Sequence, residues 1–140
     1  MLWSNVVPFD GIALLVRRAW WAVGWFGVAL CIYLTLMPSP PTLNVAEGDK
    51  LQHIAAYVAL MFWFVQLTAD LRTRRRTALA LVGLGVALEF AQLATSYREF
   101  SVADMAADAV GVALGWLLAP PRLPNFLQLT QRVGAFLAGR

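Results

Sequence analysis

The chain has 140 residues, 60% of them hydrophobic and only 14% charged, with a mean hydropathy of +0.65. Soluble domains carry roughly 25% charged residues, so an ordinary soluble domain is excluded; at about 20 apolar residues per bilayer crossing, there is room for four or five spans and no separate soluble domain. The net charge of +3 does not imply nucleic-acid binding, because a bilayer protein collects arginine at one surface for topological reasons.

In chain order, residues 1–18 set Phe9, Ile12 and Val16 beside Asp10 and Arg17, the mixture expected of an interfacial segment. Four apolar stretches of spanning length follow, at residues 19–37, 51–69, 78–95 and 101–119. Pro38, Pro40 and Pro41 end the first because proline cannot continue a helix. Arg72, Arg74, Arg75 and Arg76 separate the second from the third, and Pro120 with Pro121 stops the fourth. Cys31, the single cysteine, lies inside the first stretch and reads as a small apolar filler, with no disulfide framework. No small-residue cleavage pattern closes that stretch, so it reads as a retained helix and not as a signal peptide.

With four spans, Arg17, Arg18, the central arginines, Arg122, Arg132 and Arg140 share one side, and only Lys50 and Arg98 lie on the other. The positive-inside rule then puts both termini in the cytoplasm. Trp20, Trp21, Trp25 and Trp116 fall toward that side and read, with Trp3, as interface anchors. Within residues 120–140, Phe126, Leu127, Leu129, Val133, Phe136 and Leu137 recur at three-and-four spacing between Gln128, Gln131, Arg132 and Arg140, which predicts an amphipathic helix on the inner surface. The expected fold is thus all-α: a four-transmembrane-helix bundle over residues 19–119, N- and C-termini cytoplasmic, with a C-terminal amphipathic interfacial helix.

Polar residues inside spans cost of order 2.5–3.5 kcal/mol each at a helix centre, so each asks for a reason. The second span opens with Asp49, Lys50, His53 and Tyr57 on one face; the third carries Glu89 and Gln92, followed by Tyr97 and Arg98; the fourth begins with Asp104 and Asp108. At about 1.5 Å of rise per residue, Asp108 sits roughly 11 Å below the outer end of its span and Glu89 about 18 Å above the inner end of its own. Both levels fall in the outer half of a roughly 30 Å core, so the three stripes predict one shared cavity open to the exterior. Two carboxylates that close in low dielectric should not both ionise, so Glu89 and Asp108 are expected to share a proton unless Lys50 or Arg98 reaches inward. Ala107, Gly111 and Gly115 form a small-xxx-small stripe that reads as helix packing, a part open also to Gly83 and Gly85. His53 with two carboxylates could hold a metal, but one histidine without a partner at i+4 is weak support, and no metal or cofactor is expected.

The run Gly48-Asp49-Lys50-Leu51-Gln52-His53-Ile54-Ala55-Ala56-Tyr57-Val58-Ala59-Leu60, then Glu89-Phe90-Ala91-Gln92, Arg98 to Ser101, and Asp104 with Gly111 and Gly115 resembles the VanZ-like family of small bacterial membrane proteins. The resemblance covers about residues 38–115, and the D-K-x-x-H-x-x-x-Y opening is its specific part. One departure is Asp108, where the family usually has asparagine four residues after the aspartate. The resemblance implies a multi-pass protein of the bacterial cytoplasmic (inner) membrane, some relatives being linked to low-level resistance to a glycopeptide antibiotic, and implies no particular reaction.

Three functions fit these residues. In the first, Asp49, Lys50, His53, Tyr57, Glu89, Gln92, Arg98, Asp104 and Asp108 line a site for the polar group of a cell-envelope lipid or lipid-linked precursor. In the second, the same cavity is an acid/base hydrolase or transferase, with His53 or Glu89 as general base, Asp104 orienting the histidine, and Lys50 and Arg98 holding a phosphate. Thr95, Ser96 and Ser101 are the hydroxyls near enough to act as nucleophile, and none stands in a recognisable elbow. The third is a proton- or cation-coupled transporter, which with four spans would require a homodimer.

Overall fold

The computed structural model describes residues 7–41 and 47–138, and Trp3 and Arg140 lie outside them. Five helices and no strand occur among the described residues: α1 (Val7–Leu36), α2 (Gly48–Val65), α3 (Leu71–Leu93), α4 (Val102–Leu118) and α5 (Phe126–Ala138). The starts of α3 and α4 are written in their capping residues. Asp70 accepts from the Thr73 amide at 2.8 Å and from its hydroxyl at 2.6 Å, and Ser101 Oγ accepts from the Asp104 amide at 3.2 Å. Asp49 and Asp104 stand in the first turns of α2 and α4, where the helix dipole favours an anion. By length and composition, Gly11–Leu36 and Leu71–Leu93 are able to cross a membrane.

The closest helix pair is α2 with α4. A Cβ on Gly111 would lie 2.6 Å from the Ile54 carbonyl oxygen, and one on Gly115 2.7 Å from that of Val58, so glycine is what permits this approach. Around the seam Tyr57, Leu60, Met61, Phe64, Val65, Leu81 and Val112 form the core. Against it α1 is clamped by a tryptophan pair. The Trp20 and Trp63 rings stack at 3.9 Å, Trp20 Nε1 donates to the Trp63 carbonyl at 3.1 Å, and Trp63 Nε1 donates to that of Trp20 at 2.8 Å.

Side chains also tie the ends together. At one end Gln92 Nε2 donates to Thr35 O at 2.9 Å and Tyr97 Oη to Leu36 O at 3.1 Å, satisfying two of the last carbonyls of α1. At the other, Arg74 donates to Thr68 O at 3.0 Å and Pro120 O at 2.8 Å, while Asn125 Nδ2 donates to Gln66 O at 3.0 Å. Gln131 Nε2 donates to Ala13 O at 3.0 Å, docking α5 on the first half of α1.

Several boundaries differ from the sequence expectation, each for a physical reason. No break separates residues 18 and 19, because Arg17 and Arg18 are good helix formers and α1 runs straight through them. The second helix stops at Val65, since Asp70 caps a new helix five residues on; Arg72, Arg74, Arg75 and Arg76 therefore ride on the first turns of α3 and not in a loop. Trp20, expected as an interface anchor, spends its indole on Trp63 instead. Leu127 of α5 is buried, and Phe126 meets Phe62 edge-on at 5.9 Å, so this helix is partly integrated into the bundle.

Candidate functional site

His53 sits one turn into α2 and Asp108 two turns into α4, and the glycine seam brings them together: His53 Nδ1 and Asp108 Oδ1 are 2.8 Å apart. Both side chains are well buried, at 11% and 3% exposure, so the pair is shielded from water and holds the ring in one orientation. Asp49 and Asp104 complete the cluster. One ligand-type atom from each of Asp49, His53 and Asp104 lies within 4.8 Å of the others. Asp104 is buried and Asp49 exposed, so the cluster runs from the bundle interior to its surface.

Beside it lies a cavity of about 170 Å³, whose lining includes Asp49, Gln52, His53, Tyr57 and Arg98 together with Cys31, Thr35, Pro40 and Pro41. The buried Tyr57 hydroxyl lies by the Cys31 thiol and makes no hydrogen bond of good geometry among the described residues. Gln52 Nε2 donates to Pro41 O at 2.8 Å, fixing the chain after α1 across one wall. Cys31, Leu34 and Ala56 also belong to a second space of about 280 Å³ between α1 and α2, otherwise lined by Val23, Gly24, Gly27, Leu30, Ala59, Leu60 and Trp63. That groove is apolar and shares these three wall residues with the first cavity.

The structure gathers Asp49, His53, Tyr57, Arg98, Asp104 and Asp108 around one end of the bundle and gives the other predicted site residues different work. Gln92 caps α1. Glu89 is buried between α3 and α4, where Oε2 accepts from the Ser101 amide at 2.8 Å and Oε1 is left unpaired among the described residues. No hydrogen bond joins Glu89 to Asp108; each carboxylate has its own partner, because the α2–α4 seam delivers His53 to Asp108 first. Lys50 turns away to the exposed start of α2 and pairs with Glu47. Sequence reasoning missed the α1 contribution. Cys31 and Thr35 were hidden in an apolar run, and Pro40 and Pro41 read only as helix breakers.

Of the hydroxyls weighed as nucleophiles, Ser101 and Thr95 are engaged, while Ser96 is exposed. Ser101 Oγ caps α4, while Thr95 Oγ1 donates to Gln92 O at 2.8 Å and accepts from the Arg98 amide at 3.2 Å. What remains available is an oriented imidazole, the Asp49 and Asp104 carboxylates, which have no side-chain hydrogen bond among the described residues, and a guanidinium at the cavity wall.

The family model described as VanZ/LLP1 matches residues 2–127. An uncharacterized protein of Schizosaccharomyces pombe is 32% identical over 97 residues, covering 65% of this chain and 58% of the yeast protein, so this chain spans little more than half of that relative's length. No solved structure matches.

Proposed function

The chain belongs to the VanZ/LLP1 family, and from that premise we propose that it is a multi-pass membrane protein whose outward-facing cavity binds the polar group of an envelope lipid or lipid-linked precursor. In this reading α1 to α4 all cross the bacterial cytoplasmic membrane, residues 19–119 form the membrane domain, residues 120–140 a cytoplasmic tail, and both termini lie inside. Support for the membrane setting comes from the surface: Phe26, Leu15, Trp25, Tyr33, Leu79 and Val102 are each at least 60% exposed, apolar area that a soluble monomer rarely shows in such quantity. At about 27 Å for 18 residues, α2 is close to bilayer thickness although polar at its start. The α5 and loop contacts gather Arg74, Arg122 and Arg132 near one end, the side that the positive-inside rule assigns to the cytoplasm.

The observation that carries the lipid reading is the adjacency of two unlike spaces. A cavity walled by His53, Arg98 and Asp49 shares Cys31, Leu34 and Ala56 with an apolar groove between α1 and α2. An amphiphile has that same division, a polar head on a hydrocarbon chain, and each buried methylene adds about 0.8 kcal/mol.

The test is photo-crosslinking with benzoylphenylalanine at Leu34, shared by both spaces, against Leu79, which is 73% exposed on α3. Labelling of a radiolabelled anionic phospholipid at position 34 should saturate, fall when Arg98 is changed to Ala, and be competed by unlabelled lipid. Labelling as unsaturable as that at position 79 would sink the reading. Conversion of the captured lipid to product by purified protein would favour the enzyme.

A further inference from the structure

We propose that Asp49, His53 and Asp104 form a binding site for a divalent metal ion of the Mn2+ or Zn2+ class at the cavity mouth, with Asp108 as the residue that orients the histidine. The proposal is independent of the lipid reading. It starts from geometry: one donor atom from each of the three residues lies within 4.8 Å of the other two. Ligands of a tetrahedral ion bound at about 2.1 Å are about 3.4 Å apart, so side-chain rotation of the two carboxylates must draw the donor atoms in by up to about 1.4 Å.

Two further observations point to a cation. The first is Asp104. The residue is only 8% exposed, its backbone amide is taken by Ser101 Oγ, and its carboxylate has no hydrogen bond or ion pair among the described residues. A largely buried carboxylate is stabilised by a counter-charge or a donor. Lys50 is committed to Glu47, and Arg98, at the cavity wall, makes no ion pair among the described residues.

The second is the direction of the imidazole. Nδ1 is held by Asp108 Oδ1 at 2.8 Å. With Asp108 ionised the carboxylate only accepts, which puts a proton on Nδ1, and in the neutral imidazole that leaves the Nε2 lone pair for an ion, which displaces any proton held there. Carboxylate, histidine and metal in line is the usual outer-shell arrangement of histidine-ligated metals. One imidazole with two carboxylates is a mixed nitrogen and oxygen set suited to Mn2+ or Zn2+, and three protein ligands leave open positions toward the cavity for water or an anionic oxygen.

The full chain, purified in detergent and freed of metal with EDTA, is titrated with Mn2+ and followed by EPR, and Zn2+ binding is measured by equilibrium dialysis with elemental analysis. Expected is a single ion per chain at micromolar metal. Asp104→Asn and His53→Gln should abolish that binding, and Asp108→Asn should weaken it about tenfold, the loss typical of a missing outer-shell partner. Asp70→Asn, at the opposite end of the bundle, should leave it unchanged. Asp49→Asn alters an exposed side chain and keeps the fold if the buried variants do not. No stoichiometric binding by the unaltered chain overturns the proposal, as does undiminished affinity in Asp49→Asn or Asp104→Asn.

Discussion

Replacing Gly111 by alanine adds one methyl group at the point where α2 and α4 are closest, and its effect is calculable. The new Cβ would meet the Ile54 carbonyl oxygen at 2.6 Å, Tyr57 Cβ at 2.8 Å and Ile54 Cα at 3.2 Å, whereas ordinary contact begins at 3.4 Å. Two of these obstacles are backbone atoms that no rotamer change removes, so the helices must part by about 0.8 Å, the difference between 3.4 and 2.6 Å. His53, beside Ile54, and Asp108, one turn before Gly111, straddle this seam. The same displacement stretches their 2.8 Å contact to about 3.6 Å, outside hydrogen-bond range. Overpacking costs roughly 1–3 kcal/mol and the lost hydrogen bond about another 0.5–1.5 kcal/mol. Unfolding in SDS, followed by helicity, should show a loss of about 2–4 kcal/mol on those two contributions. The 15N shifts of the His53 ring should in parallel lose the signature of a fixed Nδ1–H tautomer. Wild-type stability with an unchanged histidine spectrum would refute the close seam and the site geometry built on it.

Gly85→Ala should disturb the same histidine signal from the α3 side, since its Cβ would press on the Asp108 carboxylate, while Gly83→Ala, with nothing within 4 Å, should be neutral or stabilising by up to about 1 kcal/mol. Trp63→Phe keeps a ring against Trp20 but deletes the Nε1 donor to Trp20 O, so unfolding in SDS should become easier by about 0.5–1.5 kcal/mol and the Trp20 fluorescence should shift. Glu89→Leu strands the part-buried Ser101 amide and should cost about 1–3 kcal/mol, whereas Asp108→Asn, whose amide oxygen can still accept from His53, should keep the fold; equal damage from both would contradict the separate partnerships. Asp70, held below the usual carboxylate range by the Thr73 hydroxyl and amide, contributes stability that is full above its unfolded value near 3.9 and is lost as pH falls through the lower folded value, so Asp70→Asn should flatten the acid limb of a melting-temperature profile.

The legible part of this molecule was the part governed by composition and spacing. Apolar runs ended by proline and the three-and-four pattern of residues 126–137 produced the helices near where they lie, while the Asp70 and Ser101 caps that set the starts of α3 and α4 went unread. The i, i+4 pairs Asp49 with His53 and Asp104 with Asp108 placed the polar residues on common faces, and those faces do meet. Partnership was not legible. Spacing along one helix says which residues share a face but not which atom of a neighbouring helix lies opposite, so Glu89 and Asp108 looked like a pair until His53 and Ser101 claimed them separately. For the same reason Trp20 and Trp63, 43 residues apart, carried no mutual signal, and Cys31 vanished into an apolar run although it borders both spaces.

Asp108 stands where the family resemblance led one to expect asparagine, and the His53 contact gives that difference a chemical meaning. An asparagine in this place offers both an acceptor oxygen and a donor amide, so it can satisfy His53 Nδ1 with or without a proton. An ionised carboxylate has no such choice: it accepts only, so it selects the Nδ1–H form and aims an Nε2 lone pair away from the seam. The same exchange adds negative charge one turn from Asp104, in a bundle where the adjacent lysine is already paired with Glu47. Burying that charge costs free energy that a neutral amide would not require. A lone hydrogen bond to His53 would not repay it, since the amide can make that bond too. What the carboxylate adds is directional, a fixed imidazole beside two further carboxylates, and it gains most where a positively charged group is bound on the far side of the ring.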